Sequence, residues 1–85
     1  MTFGQAIEEM KTGKAVSRKG WNGKGIFIKI QFPDEFSKMK LPYIYIDTTG
    51  LETTNENAPK SLVPWLASQT DMLSEDWEIY TSDIV

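Results

Sequence analysis

The sequence predicts an α+β fold: a short N-terminal helix packed on one antiparallel β-sheet in a small single domain. Three observations predict it. Apolar residues recur at helical spacing at the start of the chain, and from Ala15 onward they fall in short extended runs separated by Gly, Pro and Asn signals. In 85 residues there is no internal repeat, low-complexity tract or linker that would split domains, so residues 1–85 read as one unit.

Thr2-Phe3-Gly4-Gln5 fits a capping box, after which Phe3, Ala6, Ile7 and Met10 lie on one helical face until Gly13 supplies a C-terminal cap. Ala15 to Arg18 is brief and extended, and Asn22-Gly23 is a tight-turn signal. Ile26, Ile28, Ile30 and Phe32 then alternate with Phe27, Lys29 and Gln31, which marks the central strand. Its second face is partly polar and is left to solvent, a ligand or another subunit. Pro33 ends that strand, and Asp34 to Pro42 reads as a loop whose Phe36, Met39 and Leu41 fold back over the core. Tyr43 to Ile46 is the next strand, Thr48-Thr49-Gly50 a turn, and Glu52 to Lys60 a polar loop expected to be mobile. Leu62 to Leu66 is extended, Ser68 caps a single helical turn through Met72 and Leu73, and Trp77 to Tyr80 forms the last strand. Thr81 to Val85 is expected to fray. Strand order is not specified by this pattern.

Folding a chain of this size buries only about 60 to 65% of the surface its unfolded form exposes. With no cysteine available for disulfides, oligomerisation is the expected extra source of stability. A cysteine-free chain with no apolar leader or long apolar run reads as a soluble cytoplasmic protein that does not enter a membrane. The formal net charge of -3 argues against a general DNA or RNA binder held by phosphate contacts. Charge is segregated, with Lys11, Lys14, Arg18, Lys19 and Lys24 near the start and Asp71, Glu75, Asp76, Glu78 and Asp83 near the end. These groups are either two solvated faces or partners within or between subunits.

Absence of both histidine and cysteine excludes Ser-His-Asp and Cys-His catalysis and zinc sites of the usual kind. No cofactor is expected. Asp71, Glu75 and Asp76 could carry acid-base chemistry, but helix capping and pairing with the basic N-terminal quarter account for them without it. The run Lys19-Gly20-Trp21-Asn22-Gly23-Lys24-Gly25 lacks Walker spacing and is followed by a β-type run, so it is no nucleotidase loop. It does join exposed backbone N–H groups, two lysines, an amide and an indole face, which suit a phosphorylated ligand with an aromatic base. The competing reading is a hairpin turn in which Trp21 covers the domain's own edge. Trp65 and Trp77 lie in apolar runs and are read as core, Trp65 with an equal claim to the site. Ser68, Gln69, Thr70 and Asp71 form a polar cluster suited either to reading ribose and base edges or to capping a helix.

In combination and in order, Phe3-Gly4 with Ala6-Ile7, Arg18 to Gly25, Val63 to Asp71 and Glu75-Asp76-Trp77 resemble a family of small phage and prophage proteins. It is the second type of Thoeris anti-defence protein, also described as toxin-like. The resemblance covers both ends of the chain and is weakest over residues 33–60. It implies a non-enzymatic sponge that sequesters the cyclic ADP-ribose isomer made by bacterial TIR-domain sensors, with cyclic dinucleotides as a second ligand class in some relatives. It also implies a homotetramer with pockets between subunits, acting in the infected host cell. Carried over by position, it makes Trp21 the stacking partner of the adenine, with Asn22 and the Gly23 backbone binding polar edges or phosphate. Arg18, Lys19 and Lys24 become candidates for the pyrophosphate charge, and Ser68, Gln69 and Asp71 for ribose hydroxyls or base edges. Phe3 walls the pocket or belongs to the core. The alternative is a protein-interaction or toxin-like module with exposed aromatics.

Overall fold

The computed structural model describes residues 1–81 and contains a helix, a five-stranded antiparallel sheet and a second, single-turn helix. Helix α1 (Phe3–Lys11) begins where expected because Thr2 and Gln5 satisfy each other's orphan amides. The Thr2 backbone N–H donates to Gln5 Oε1 at 2.8 Å, and the Gln5 N–H donates to Thr2 Oγ1 at 3.2 Å. It ends because Gly13 takes a φ of 96°, a left-handed conformation that costs glycine nothing, and donates its N–H to the Met10 carbonyl at 2.9 Å.

The strands are β1 (Val16–Arg18), β2 (Phe27–Gln31), β3 (Tyr43–Asp47), β4 (Leu62–Pro64) and β5 (Trp77–Ile79), ordered β4-β3-β2-β1-β5. The last strand therefore returns to the first, and the Trp77 N–H donates to the Met1 carbonyl at 3.1 Å. Register places Ile28 opposite Val16 and Ile46, and Ile30 opposite Ile44, so alternation sends these residues to the helix side. There Ala6, Met10, Val16, Ile28 and Trp77 form the fully buried core. Each of the larger apolar side chains contributes roughly 1.5 to 3 kcal/mol by leaving water. The opposite face carries Phe27, Lys29, Gln31, Tyr43, Tyr45 and Asp47, with Phe27 stacked on Tyr80 at 4.6 Å between ring centroids.

Two expectations fail. Phe36, Met39 and Leu41 do not fold back over the core; Phe36 is 86% exposed and Leu41 77%. Asp34 closes this loop on itself, its Oδ1 accepting the Phe36 N–H at 2.8 Å and the Ser37 hydroxyl at 3.1 Å, and α1 packs on the β1, β2 and β5 part of the sheet. Nor does Asn22-Gly23 close a tight hairpin. β1 meets β2 at a single register position, Val16 with Ile28, whereas along its other edge Val16, Ser17 and Arg18 all pair with Ile79, Glu78 and Trp77 of β5. Residues 19–26 form a wide connection. The fraying expected of the tail falls largely on 82–85, outside the described residues.

Candidate functional site

The divergence of β1 from β2 opens a groove of about 570 Å³, with Trp21, Gly23, Lys24 and Gly25 of the wide connection along one wall. Ser17, Glu78 and Tyr80 line the β1–β5 side, and Gly50 and Glu52 enter from the connection between β3 and β4. Two glycines permit this arrangement. Gly25 has a φ of 82°, and a Cβ there would lie 2.0 Å from the Gly50 carbonyl oxygen, so the loops cross at backbone contact. The crossing is pinned by the Glu52 N–H donating to the Lys24 carbonyl at 3.0 Å.

Trp21 is half-buried, with its ring in two settings at once. One is the groove. The other is an aromatic cluster, in which Trp21 packs edge-on against Trp65 at 6.2 Å and Trp77 at 5.4 Å, while Phe3 lies 5.1 Å from Trp77 and 6.2 Å from Trp65. The indole bends back to the core because its N–H finds a carboxylate there. Trp21 Nε1 donates to Asp71 Oδ1 at 3.2 Å, the oxygen that also accepts from Arg18 Nη1 at 2.9 Å.

Asp71 reaches that position from α2 (Gln69–Leu73), whose capping box it shares with Ser68. The Ser68 N–H donates to Asp71 Oδ2 at 3.1 Å, and the Asp71 N–H donates to Ser68 Oγ at 3.0 Å. Arg18 also donates through Nε to Asp76 Oδ1 at 2.8 Å, and its side chain is only 12% exposed. Of the basic residues near the start, Arg18 thus pairs with the acidic end within one molecule, while Lys11 and Lys14 pair with Glu8 and Glu9 nearby. Burial pushes the Asp71 carboxyl up, but hydrogen bonds from Arg18, the Ser68 backbone and Trp21 prevail and hold it below the usual range. Arg18 likewise holds Asp76 low against a smaller desolvation effect, with help from the Gly20 N–H, and the two carboxylates raise Arg18.

The structure brings Arg18, Trp21, Gly23 and Lys24 to the groove; Lys19 and Asn22 are exposed nearby but do not line it. Phe3, Trp65, Ser68 and Asp71 stand behind Trp21, in the cluster and the capping box, and Gln69 is exposed at the start of α2. Ser17, Gly50, Glu52, Glu78 and Tyr80 are groove residues that the motifs did not indicate. A splayed strand pair leaves no local signature, although paired turn glycines at 25 and 50 are compatible with a backbone crossing. Among the described residues, no group of His, Cys, Asp and Glu is arranged to hold a metal ion, and no helix is long and apolar enough to cross a membrane.

Fold and groove define a small α+β domain in which two tryptophan motifs share one aromatic cluster beside an open cleft. The family profile of the Thoeris anti-defense 2-like domain matches residues 1–80, and the chain belongs to that family. It is also 37% identical over 83 residues to Thoeris anti-defense 2 of Bacillus phage SP01, covering 93% of each chain. Family membership supports an anti-defence role.

Proposed function

We propose that this protein is a sponge: it binds the TIR-generated cyclic ADP-ribose isomer, and in some settings cyclic dinucleotides, without degrading them, and so blocks Thoeris signalling. The observation that carries this reading is the placement of an indole, a lysine and a glycine-rich backbone in one groove of ligand size. Base stacking on an aromatic ring contributes about 1 to 3 kcal/mol. Lys24 forms no ion pair among the described residues and suits a pyrophosphate, while Glu52 and Glu78 suit ribose hydroxyl donors. Arg18 is a weaker phosphate candidate, because two carboxylates already match its charge. Homotetrameric assembly would let a neighbouring copy close the open side of the groove. Sequestration requires affinity and slow release, with no nucleophile or proton-transfer group.

The test is a mass balance. Protein is incubated with the cyclic ADP-ribose isomer, retained on a filter, then heated, and the released molecule is analysed. Intact ligand returning in proportion to protein is expected. A converted product would mean catalysis, and ligand passing freely through the filter would overturn this choice of ligand. One observation favours a second reading, a protein-interaction module: the loop after β2 presents Phe36, Met39 and Leu41 to solvent. That reading predicts a co-purifying protein and no thermal shift with nucleotide.

A further inference from the structure

Asp76 lies outside the groove, yet it is the residue on which the start of the groove wall hangs. Its Oδ2 accepts the Gly20 N–H at 2.8 Å, its Oδ1 accepts Arg18 Nε at 2.8 Å, and its carbonyl accepts the Lys19 N–H at 3.2 Å. Three consecutive residues leading into Trp21 are therefore tied to one residue of the segment preceding β5. The tie continues through Arg18, whose Nη1 reaches Asp71, whose Oδ1 in turn receives the Trp21 indole. Gly20 is part of the fit. A Cβ there would lie 2.7 Å from Asp76 Oδ2, so any larger residue would make the carboxylate shift from its present position.

We propose that Asp76 is a positioning residue for ligand binding: without touching the ligand, it fixes Trp21 in the groove wall through Gly20 directly and through Arg18 and Asp71 at one remove. The proposal rests on the sponge reading for its ligand but not for its geometry. A carboxylate serves here because two separate oxygens are used at once, one for a guanidinium and one for a backbone amide. An amide in the same place offers one acceptor oxygen and must choose between them. A wall held in this way is pre-ordered, so the ligand does not have to order it on binding.

The experiment compares wild type, Asp76→Ala, Asp76→Asn and Gly13→Ala by indole ¹H–¹⁵N spectra, thermal melting and affinity for the cyclic ADP-ribose isomer, all well below the melting temperatures. The Trp21 signal is assigned with Trp21→Phe. Gly13→Ala is the stability control, because it strains the end of α1, where Gly13 has a φ of 96°. Asp76→Ala is expected to move the Trp21 indole resonance and weaken binding about tenfold or more, with Asp76→Asn between it and wild type. Gly13→Ala is expected to lower the melting temperature while leaving affinity within about twofold. An unmoved Trp21 resonance in Asp76→Ala overturns the proposal whatever the ligand does. A moved resonance with unchanged affinity overturns it too. A moved resonance in a protein whose wild type does not bind this ligand sustains the positioning of Trp21 by Asp76 and sinks the sponge reading instead. Should Asp76→Ala fail to fold, Asp76→Asn carries the same comparison.

Discussion

The indole N–H of Trp21 donates to Oδ1 of Asp71 at 3.2 Å, joining at one atom two motifs that lie fifty residues apart. The second motif thus supports the first from behind. Trp21→Phe keeps a ring but removes the donor, and should cost about 1 kcal/mol of stability in urea denaturation. Trp21→Ala should in addition weaken the cyclic ADP-ribose isomer by roughly 5- to 150-fold in a calorimetric titration, the equivalent of about 1 to 3 kcal/mol of stacking. Wild-type affinity in a folded Trp21→Ala would rule out the stacking role.

The crossing of Gly25 and Gly50 sets the shape of the groove. Gly25→Ala combines a strained positive φ with a Cβ placed 2.0 Å from a carbonyl oxygen, and neither backbone can yield without parting the loops. It should destabilise the protein by about 2 to 4 kcal/mol or prevent folding. Gly13→Ala, with a similar φ but open space around it, should cost less, about 1 kcal/mol. Equal melting temperatures for the two variants would show that the crossing is not held tightly.

Acid should loosen the same network. Asp71 and Asp76 both titrate below their ordinary range in the folded protein, as does Asp34 in its loop, where the Phe36 N–H is the main cause. A carboxyl with a lowered folded pKa adds stability that is complete above its unfolded value, about 3.9, and is lost as pH falls through the folded value. The melting temperature should therefore hold steady near neutrality and decline below about pH 4, with Asp76→Asn flattening that decline. A decline of the same steepness in Asp76→Asn would place the acid sensitivity elsewhere.

The helix, strands and caps were legible because each leaves a local mark. Thr2 and Gln5 stand three apart, Ile28 and Ile30 alternate with Lys29, and Ser68 precedes a single polar turn. The groove was only half legible. Trp21, Gly23 and Lys24 announced themselves by residue type, whereas Ser17, Glu52 and Glu78 reach it through the pairing of β1 with β5 and the Gly25–Gly50 crossing. Those are long-range contacts, which no spacing rule encodes. Phe36, Met39 and Leu41 misled for the converse reason. Their hydropathy suggests burial, but the hydrogen bonds of Asp34 fold the loop locally and leave those side chains exposed.

Charge in the groove separates Lys24 from its neighbour Lys19. Both are exposed lysines of the same connection, but only Lys24 lines the groove. Arg18, the other groove cation, is matched by Asp71 and Asp76, and Glu52 and Glu78 add negative charge to the walls. A pyrophosphate entering here needs the Lys24 ammonium more than an isolated surface contact would, because little other positive charge offsets those carboxylates. Lys24→Ala should thus weaken the cyclic ADP-ribose isomer about tenfold, consistent with a charged hydrogen bond of about 1.5 kcal/mol. Its affinity should also respond less steeply to added salt than that of wild type, since one screened attraction has been removed. Lys19→Ala should leave both the affinity and its salt response close to wild type. The check is a set of titrations at several salt concentrations for the three proteins. Equal losses from the two lysine variants would mean that the ligand senses only the general charge of the loop, and would take Lys24 out of the site.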